Sequence, residues 1–197
     1  MAKLLYQGHS SIRVVSSKGT VMYLDPFCGE GYDLPADLLL VTHEHSDHNR
    51  TELVTMKKDG VTLRSATMLV NGEYQTKEAK DFRVEAVPAS NANHDIRFCV
   101  GYVVEVDGKK IYFSGDTSYL PYFEENLSKR GLDYAFLPCD GVFNMGPEEA
   151  ARCADIIGAK HSVPIHTQVG FLYNPSIALR FKAKNTLYLV PGQEVEL

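Results

Sequence analysis

His43-Glu44-His45-Ser46-Asp47-His48 decides the reading of this chain, and it follows directly on the apolar run Leu38-Leu39-Leu40-Val41. A short, unbroken apolar run closed by polar residues is the pattern of a strand covered on both faces. Crowding three histidines and an aspartate on one loop is costly unless something binds them, through repulsion when the rings are protonated. In extended backbone, residues two apart project to the same side, so His43 and His45 can converge on one metal ion. Asp47 and His48, displaced by the turn that follows, can face a second. Neutral imidazole suits zinc and other first-row metals, and a carboxylate is accepted by all of them. The His-Glu-x-x-His helix of a mononuclear protease is excluded, because Asp47 stands where the second histidine is required.

Outward from this loop the chain reads as short strands early and in the middle, with helices between and after them. Residues 4–7, 12–15 and 21–24 are runs of branched and aromatic residues, punctuated by Gly8-His9-Ser10 and by residues 16–19. Residues 50–58 have the composition of a short helix stopped by Asp59-Gly60. Strands are expected at 61–64, around 68–70 and at 82–87, and a hairpin of 98–106 and 110–114 turning on Asp107-Gly108. Residues 121–130 read as a helix stopped by Gly131. The clearest helix starts at Pro147, with Glu148 and Glu149 at the positive end of its dipole and Gly158 as its stop. A strand at 161–165, a helix at 175–182 and a final strand at 187–190 complete the pattern. Two packed sheets with helices outside satisfy this order. No repeat, low-complexity tract or linker interrupts it, so residues 1–197 are expected to form one domain.

With 44% hydrophobic residues in 197, the chain can bury a core without staples. Its net charge of −5 is spread over interspersed acids and bases, which argues against a nucleic-acid surface. No apolar run has the length of a membrane span or a signal peptide, so a cytoplasmic location is expected. Cys28, Cys99, Cys139 and Cys153 form no C-x-x-C pair, which removes a zinc ribbon or a redox motif and leaves free cysteines in a reducing compartment. The expected partner is a small-molecule substrate, with no nucleic acid and no membrane; a homo-oligomer is left open.

H-x-H-x-D-H after a buried strand resembles the signature of the metallo-β-lactamase superfamily. The remaining motifs follow in order: His94 within Pro88-Ala89-Ser90-Asn91-Ala92-Asn93-His94-Asp95, Asp116 within Ser114-Gly115-Asp116-Thr117, and His166 within Val163-Pro164-Ile165-His166. The resemblance implies an α/β fold, the four-layer αββα sandwich of two mixed β-sheets flanked by helices. It implies His43, His45 and His94 on one divalent ion, Asp47, His48 and His166 on another, and Asp116 bridging them. Zinc is the expected metal, with manganese or iron as alternatives. It further implies a metal-dependent hydrolase, in which a hydroxide shared by the two ions cleaves an ester-like bond of a lactone, thioester or phosphodiester. Asp47 would be both ligand and catalytic, orienting that hydroxide.

Gly8-His9-Ser10-Ser11, Leu24-Asp25-Pro26-Phe27 and Gly115-Asp116-Thr117 are similar to the UPF0173-like and ascorbate-6-phosphate-lactonase-like branch of that superfamily. On this likeness Asp25 is expected to accept the outer N–H of a ligand histidine. His9 is expected either to line the pocket as a catalytic proton donor to the leaving group or to be a turn residue. His161 matches none of these motifs and is expected to be structural. Tyr32, Tyr119, Phe143 and Phe171 are candidate pocket walls. Two rival readings are a di-iron oxidoreductase and a non-catalytic module that keeps metal to hold a ligand or partner. The first is disfavoured because flavodiiron proteins characteristically place an acidic residue where this chain has His45.

Overall fold

Alternating branched residues at the N-terminus fold, in the computed structural model of residues 1–197, into the body of a first sheet. Its strands are β1 (Lys3–Gly8), β2 (Ser11–Val15), β3 (Val21–Leu24), β4 (Ala36–Val41) and β5 (Met56–Arg64). A short helix α1 (Ser65–Met68) and a ribbon of β6 (Leu69–Val70) and β7 (Glu73–Tyr74) follow. The second sheet comprises β8 (Thr76–Ala79), β9 (Phe82–Pro88), β10 (Val100–Val106), β11 (Lys109–Phe113), β12 (Tyr134–Pro138) and β13 (His161–Ile165). Helices α2 (Pro121–Glu125) and α3 (Pro147–Ile157) lie between its later strands, and after α4 (Pro175–Ala178) the strand β14 (Gln193–Glu196) returns to the first sheet.

The sequence shows no repeat, yet the topology is repeated. Spatial orders β14-β1-β2-β3-β4-β5 and β8-β9-β10-β11-β12-β13 both run through three antiparallel pairings and then two parallel ones. Each parallel trio is clamped at its starting end by an aspartate. Asp37 of β4 accepts the Val21 N–H at 2.9 Å and the Lys57 Nζ at 2.7 Å, joining the starts of β3 and β5. Asp133, just before β12, accepts the Lys110 N–H at 2.9 Å and the Lys160 Nζ at 2.8 Å, joining β11 to the approach to β13.

The sheets pack face to face over a core of 27 buried residues, among them Leu4, Ile12, Leu38 and Leu40 from the first and Val84, Val104, Phe113 and Phe136 from the second. Burying one such side chain contributes roughly 1.5–3 kcal/mol, so this interface dominates the stability. α2 and α3 cover the outer face of the second sheet through Phe123, Ala150, Cys153, Ala154 and Ile157. The outer face of the first sheet is covered instead by a loop and a turn, with Tyr32, Leu34 and Val54 over Val21, Tyr23 and Leu39. The architecture is the expected αββα sandwich with its first helical layer reduced.

That reduction is where residues 50–58 depart from the expected helix. Only Thr51–Leu53 form a single 3-10 turn, and β5 starts at Met56. Three β-branched residues, Thr51, Val54 and Thr55, disfavour a helix there. Asp59-Gly60 does not stop an element but sits in β5 where its register against β4 shifts between Ala36 and Leu38. Residues 121–130 break into α2 and a 3-10 turn at Leu127–Lys129, and the helix expected at 175–182 is only α4. Residues 187–190 form no strand: Leu189 is buried and the Leu187 N–H donates to Ser162 O, so packing accounts for that apolar run. The strands β8, β12 and β14 lie outside every strand expected from the sequence. The hairpin turn is as expected, Asp107 and Gly108 taking φ of 48° and 77° between the paired Val106 and Lys109.

Candidate metal centre

Parallel strands aim their carboxyl ends in one direction, and the polar residues gather there. Asp25 follows β3, His43 to His48 follow β4, Asp116 follows β11, and His166 follows β13; His94 comes from the loop between β9 and β10. The two sheets are stitched together beside this point. The Val100 N–H donates to Thr42 O at 3.0 Å, and Tyr102 Oη donates to Val41 O at 2.9 Å. Three residues here have left-handed backbone: His9, Asp25 and His166, with φ of 53°, 43° and 45°. Such a conformation costs roughly 1–3 kcal/mol per non-glycine residue, so the surroundings must hold it. They do so with hydrogen bonds from His9 N to Leu172 O (2.6 Å), His166 N to His9 O (2.9 Å) and Asp25 N to Leu40 O (3.0 Å). Before Asp116 the chain needs glycine, because a Cβ on Gly115 would stand 2.6 Å from Val100 O at a φ of +60°.

Each histidine of the centre but one has its Nδ1 within reach of an acceptor. His48 Nδ1 lies 2.8 Å from Asp25 Oδ2, His43 Nδ1 lies 3.0 Å from Thr42 Oγ1, and His94 Nδ1 lies 2.9 Å from Asn91 Oδ1. Thr42 Oγ1 in turn donates to Asp25 Oδ2 at 2.7 Å, and His166 Nδ1 stands 3.1 Å from Asp140 Oδ2. In the neutral rings of His43, His48 and His94 these contacts place the proton on Nδ1 and turn the Nε2 lone pair inward, whereas His166 Nδ1 is at ion-pair distance from Asp140 without a hydrogen bond. His45 is the exception: its Nδ1 stands 3.2 Å from His94 Nε2. The inward Nε2 atoms of His43, His48 and His166 and Oδ1 of Asp116 are buried without a hydrogen bond, His48 Nε2 standing 3.2 Å and His166 Nε2 3.6 Å from the Asp116 carboxylate. Such groups cost stability unless a partner meets them, and a divalent cation is the partner that this donor set fits. Potential ligand atoms of His43, His45 and His94 lie within 4.8 Å of one another, as do those of His9, Asp47, His48 and His166, and those of His43, His48 and Asp116.

Burial and the neighbouring His48 push the His43 pKa well down, which keeps that ring neutral and able to ligate. Burial acts the same way on His48 and His166, but there the carboxylates win. Asp116 and Asp25 raise His48 well above its ordinary value, while Asp116, Asp140 and Asp47 bring His166 to about 9. Burial opposes ionisation of Asp116 and Asp47, yet the surrounding imidazoles hold both carboxyls well below the usual range. Without a cation these carboxylates draw protons onto His48 and His166, and a bound metal would take the place of those protons.

Two adjoining clefts open onto it. One of about 450 Å³ is lined by Ser46, Asp47, Asp116, Phe143 and His166, and one of about 440 Å³ by Ser65, Ala66, Arg97 and Phe98; Glu44, His45, Asn93 and His94 line both. Glu44 turns away to pair with Arg64 at 2.7 Å. A separate hollow of about 300 Å³ on the solvent face of α3 holds exposed ions such as the Arg180–Glu148 pair and no such cluster.

The structure thus brings His43, His45, Asp47, His48, His94, Asp116 and His166 together, with Asp25 behind His48 and His43. His9 sits in the turn between β1 and β2, the second of its two expected placements. It is fully buried, its ring 3.8 Å from that of His166, and it lines neither cleft. Of the candidate walls, Phe143 lines a cleft, whereas Tyr32 stacks on Tyr23 and Tyr119 sits edge-on to Phe123. His161 lies on β13 with its ring 5.0 Å from Tyr134, away from the centre. Sequence reasoning missed Asp140 and gave Asn144 no role, although the segment Asn144-Met145-Gly146-Pro147 is similar to the same UPF0173-like branch. Asn144 Nδ2 donates at 2.9 Å both to Asp116 Oδ2 and to Asp140 Oδ2, and Asp140 Oδ1 accepts the N–H groups of Val142 and Phe143. Asp140-Gly141 was legible as a turn, but nothing in its spacing pointed to His166.

Comparison with known proteins agrees with this geometry. A profile of the beta-lactamase superfamily domain matches residues 3–166. A UPF0173 metal-dependent hydrolase of Thermococcus onnurineus is 31% identical over the full length of both chains, and one of Thermus thermophilus is 33% identical over 84% of each. Among solved structures, Igni18, a metallo hydrolase of Ignicoccus hospitalis, superposes with a TM-score of 0.78 at 21% identity, covering 98% of this chain and 97% of that one. CmlA, a diiron beta-hydroxylase of Streptomyces venezuelae, shares the fold with a TM-score of 0.70 at 15% identity, over all of this chain and 54% of its own. No helix is long and apolar enough to cross a membrane. The chain belongs to the beta-lactamase superfamily, as a metal-dependent hydrolase of its UPF0173 group.

Proposed function

We propose that this chain hydrolyses an ester-like bond in a small cytoplasmic molecule, a lactone, thioester or phosphodiester, at a centre for two divalent ions. The observation that carries the reading is the convergence of buried, unpartnered His43, His48 and His166 Nε2 atoms on the carboxylate of Asp116. His43, His45 and His94 would hold one ion, Asp47, His48 and His166 the other, with Asp116 between them; zinc suits this donor set, as do manganese and iron. Two such ions supply a water made nucleophilic at neutral pH and Lewis-acid polarisation of the scissile group.

The chain's own residues do the rest. Asp47, a quarter exposed at the cleft, accepts a hydrogen bond from the attacking water and so aims its lone pair at the substrate. Asp25, Asn91 and Asp140 hold the outer nitrogens of His48, His94 and His166, so that these rings do not turn. Phe143 and Phe98 flank the clefts and receive the apolar part of a substrate. No serine or cysteine stands ready as a nucleophile: Ser46 has no histidine partner, and burial pushes the Cys99 thiol well up.

Elemental analysis of the purified chain, followed by assay against lactones, thioesters and phosphodiesters, tests this reading. About two zinc or manganese per chain and turnover of one class are expected. Two irons with visible absorbance and no hydrolysis would transfer the reading to an oxidoreductase, and metal without turnover of any class to a binding module.

A further inference from the structure

We infer that His9 is itself a metal ligand, completing with Asp47, His48 and His166 a four-side-chain set around the second ion. This rests on the metal-centre reading above and extends it. Every polar atom of His9 is engaged except one. Its N–H donates to Leu172 O at 2.6 Å, its carbonyl accepts from the His166 N–H at 2.9 Å and from Tyr6 Oη at 3.0 Å, and its Nδ1 lies 2.9 Å from Phe171 O. A carbonyl can only accept, so Nδ1 carries a proton, and in the neutral ring Nε2 then presents a lone pair. That atom is buried and without a hydrogen-bond partner, 3.4 Å from Asp47 Oδ2.

Two electron-pair donors facing each other without a proton between them repel, unless a cation lies between. The distance agrees. Metal–nitrogen bonds of 2.0–2.1 Å in tetrahedral geometry set neighbouring ligand atoms about 3.3–3.5 Å apart, and His166 Nε2 stands 3.7 Å from the same Asp47 oxygen. The four residues offer ligand atoms that all lie within 4.8 Å of one another. A φ of 53° at His9, uncommon for a non-glycine residue, sets its ring beside that of His166. The two halves of the centre then differ. One would be held by four side chains, including the fully buried His9 and His48, with Asp47 and His166 reaching one cleft. The other would be held by three, His43, His45 and His94, of which His45 and His94 line both clefts.

The test is nuclear magnetic resonance of the full chain, labelled at its histidine nitrogens and loaded with a spin-half cadmium isotope. Scalar coupling between cadmium and His9 Nε2 is expected, with Nδ1 keeping its proton. The His9→Asn variant, whose side chain tolerates left-handed backbone, assigns the resonance. It should lower affinity for the second equivalent at least about 100-fold, leaving the first unchanged. Coupling at the other ligand histidines but a protonated, uncoupled His9 Nε2 would overturn this inference alone. Coupling at no histidine would overturn the metal reading as well. The unsubstituted chain decides between these outcomes even if the variant does not fold.

Discussion

At the scale of single residues, the proposed function separates groups that would meet substrate from groups that hold other groups in place. Asp47→Asn keeps the shape but loses the charge that aims the water, so kcat should fall roughly 10²–10⁴-fold. Turnover per bound metal is the measurement, and unchanged turnover would remove Asp47 from the mechanism. Asp140→Asn should act through His166 instead, weakening metal binding about 10–100-fold in a chelator competition. The candidate ligands were legible because a metal demands particular side chains at particular spacings, as in His43, His45, Asp47 and His48. Asp140 and Asn144 were not, since they meet His166 and Asp116 only through the convergence of β11, β12 and β13, and a distance of that kind leaves no trace in spacing. His9 was visible as a residue of interest, but its role depends on which of its nitrogens is already taken, and Phe171, which takes it, is far away in sequence.

At the scale of elements, the aspartate clamps hold the parallel strands in register. Burial would raise the Asp133 carboxyl, but Lys160 and the Lys110 N–H outweigh it and set the native value below the ordinary one. An acid whose native pKa is depressed stabilises the fold above its unfolded pKa, about 3.9, and that contribution is lost as pH falls through the lower native value. Asp133→Asn should therefore reduce stability at neutral pH and flatten its acid dependence, read from urea midpoints at about pH 7 and pH 3. An unchanged pH dependence would mean that the clamp is not a stabilising contact. Gly115→Ala should cost about 1–3 kcal/mol in the same assay, because Val100 O leaves no space for the added methyl. Local signals sufficed for the Asp107-Gly108 hairpin and for α3, whose Pro147 start and Gly158 stop carry their own conformations. They failed at residues 50–58, where pairing with β4 overrides weak helix propensity, and at β12, whose buried apolar residues show no periodicity to read.

At the scale of the whole molecule, the ligands come from both sheets: His43, His45, Asp47 and His48 follow the first, and His94, Asp116 and His166 belong to the second. Ions held between them should favour the native state by mass action. At about 100 times the dissociation constant the gain is about 2.7 kcal/mol, or roughly 5–10 °C in melting temperature for a chain of this size. Melting with added zinc against melting with a chelator measures it, and coincident curves would show that no ion bridges the sheets. The fold was legible as a class because the order of motifs is specific, while its repeated topology was hidden, the two halves sharing pairings rather than residues. Behind the ligands, a single carboxylate serves both halves: Asp25 Oδ2 takes His48 directly and reaches His43 through Thr42. Two ions bound there would each draw charge from that oxygen, and their binding steps would then be energetically linked. By reciprocity, whatever factor the first occupant imposes on the affinity of the second is returned unchanged, whichever enters first.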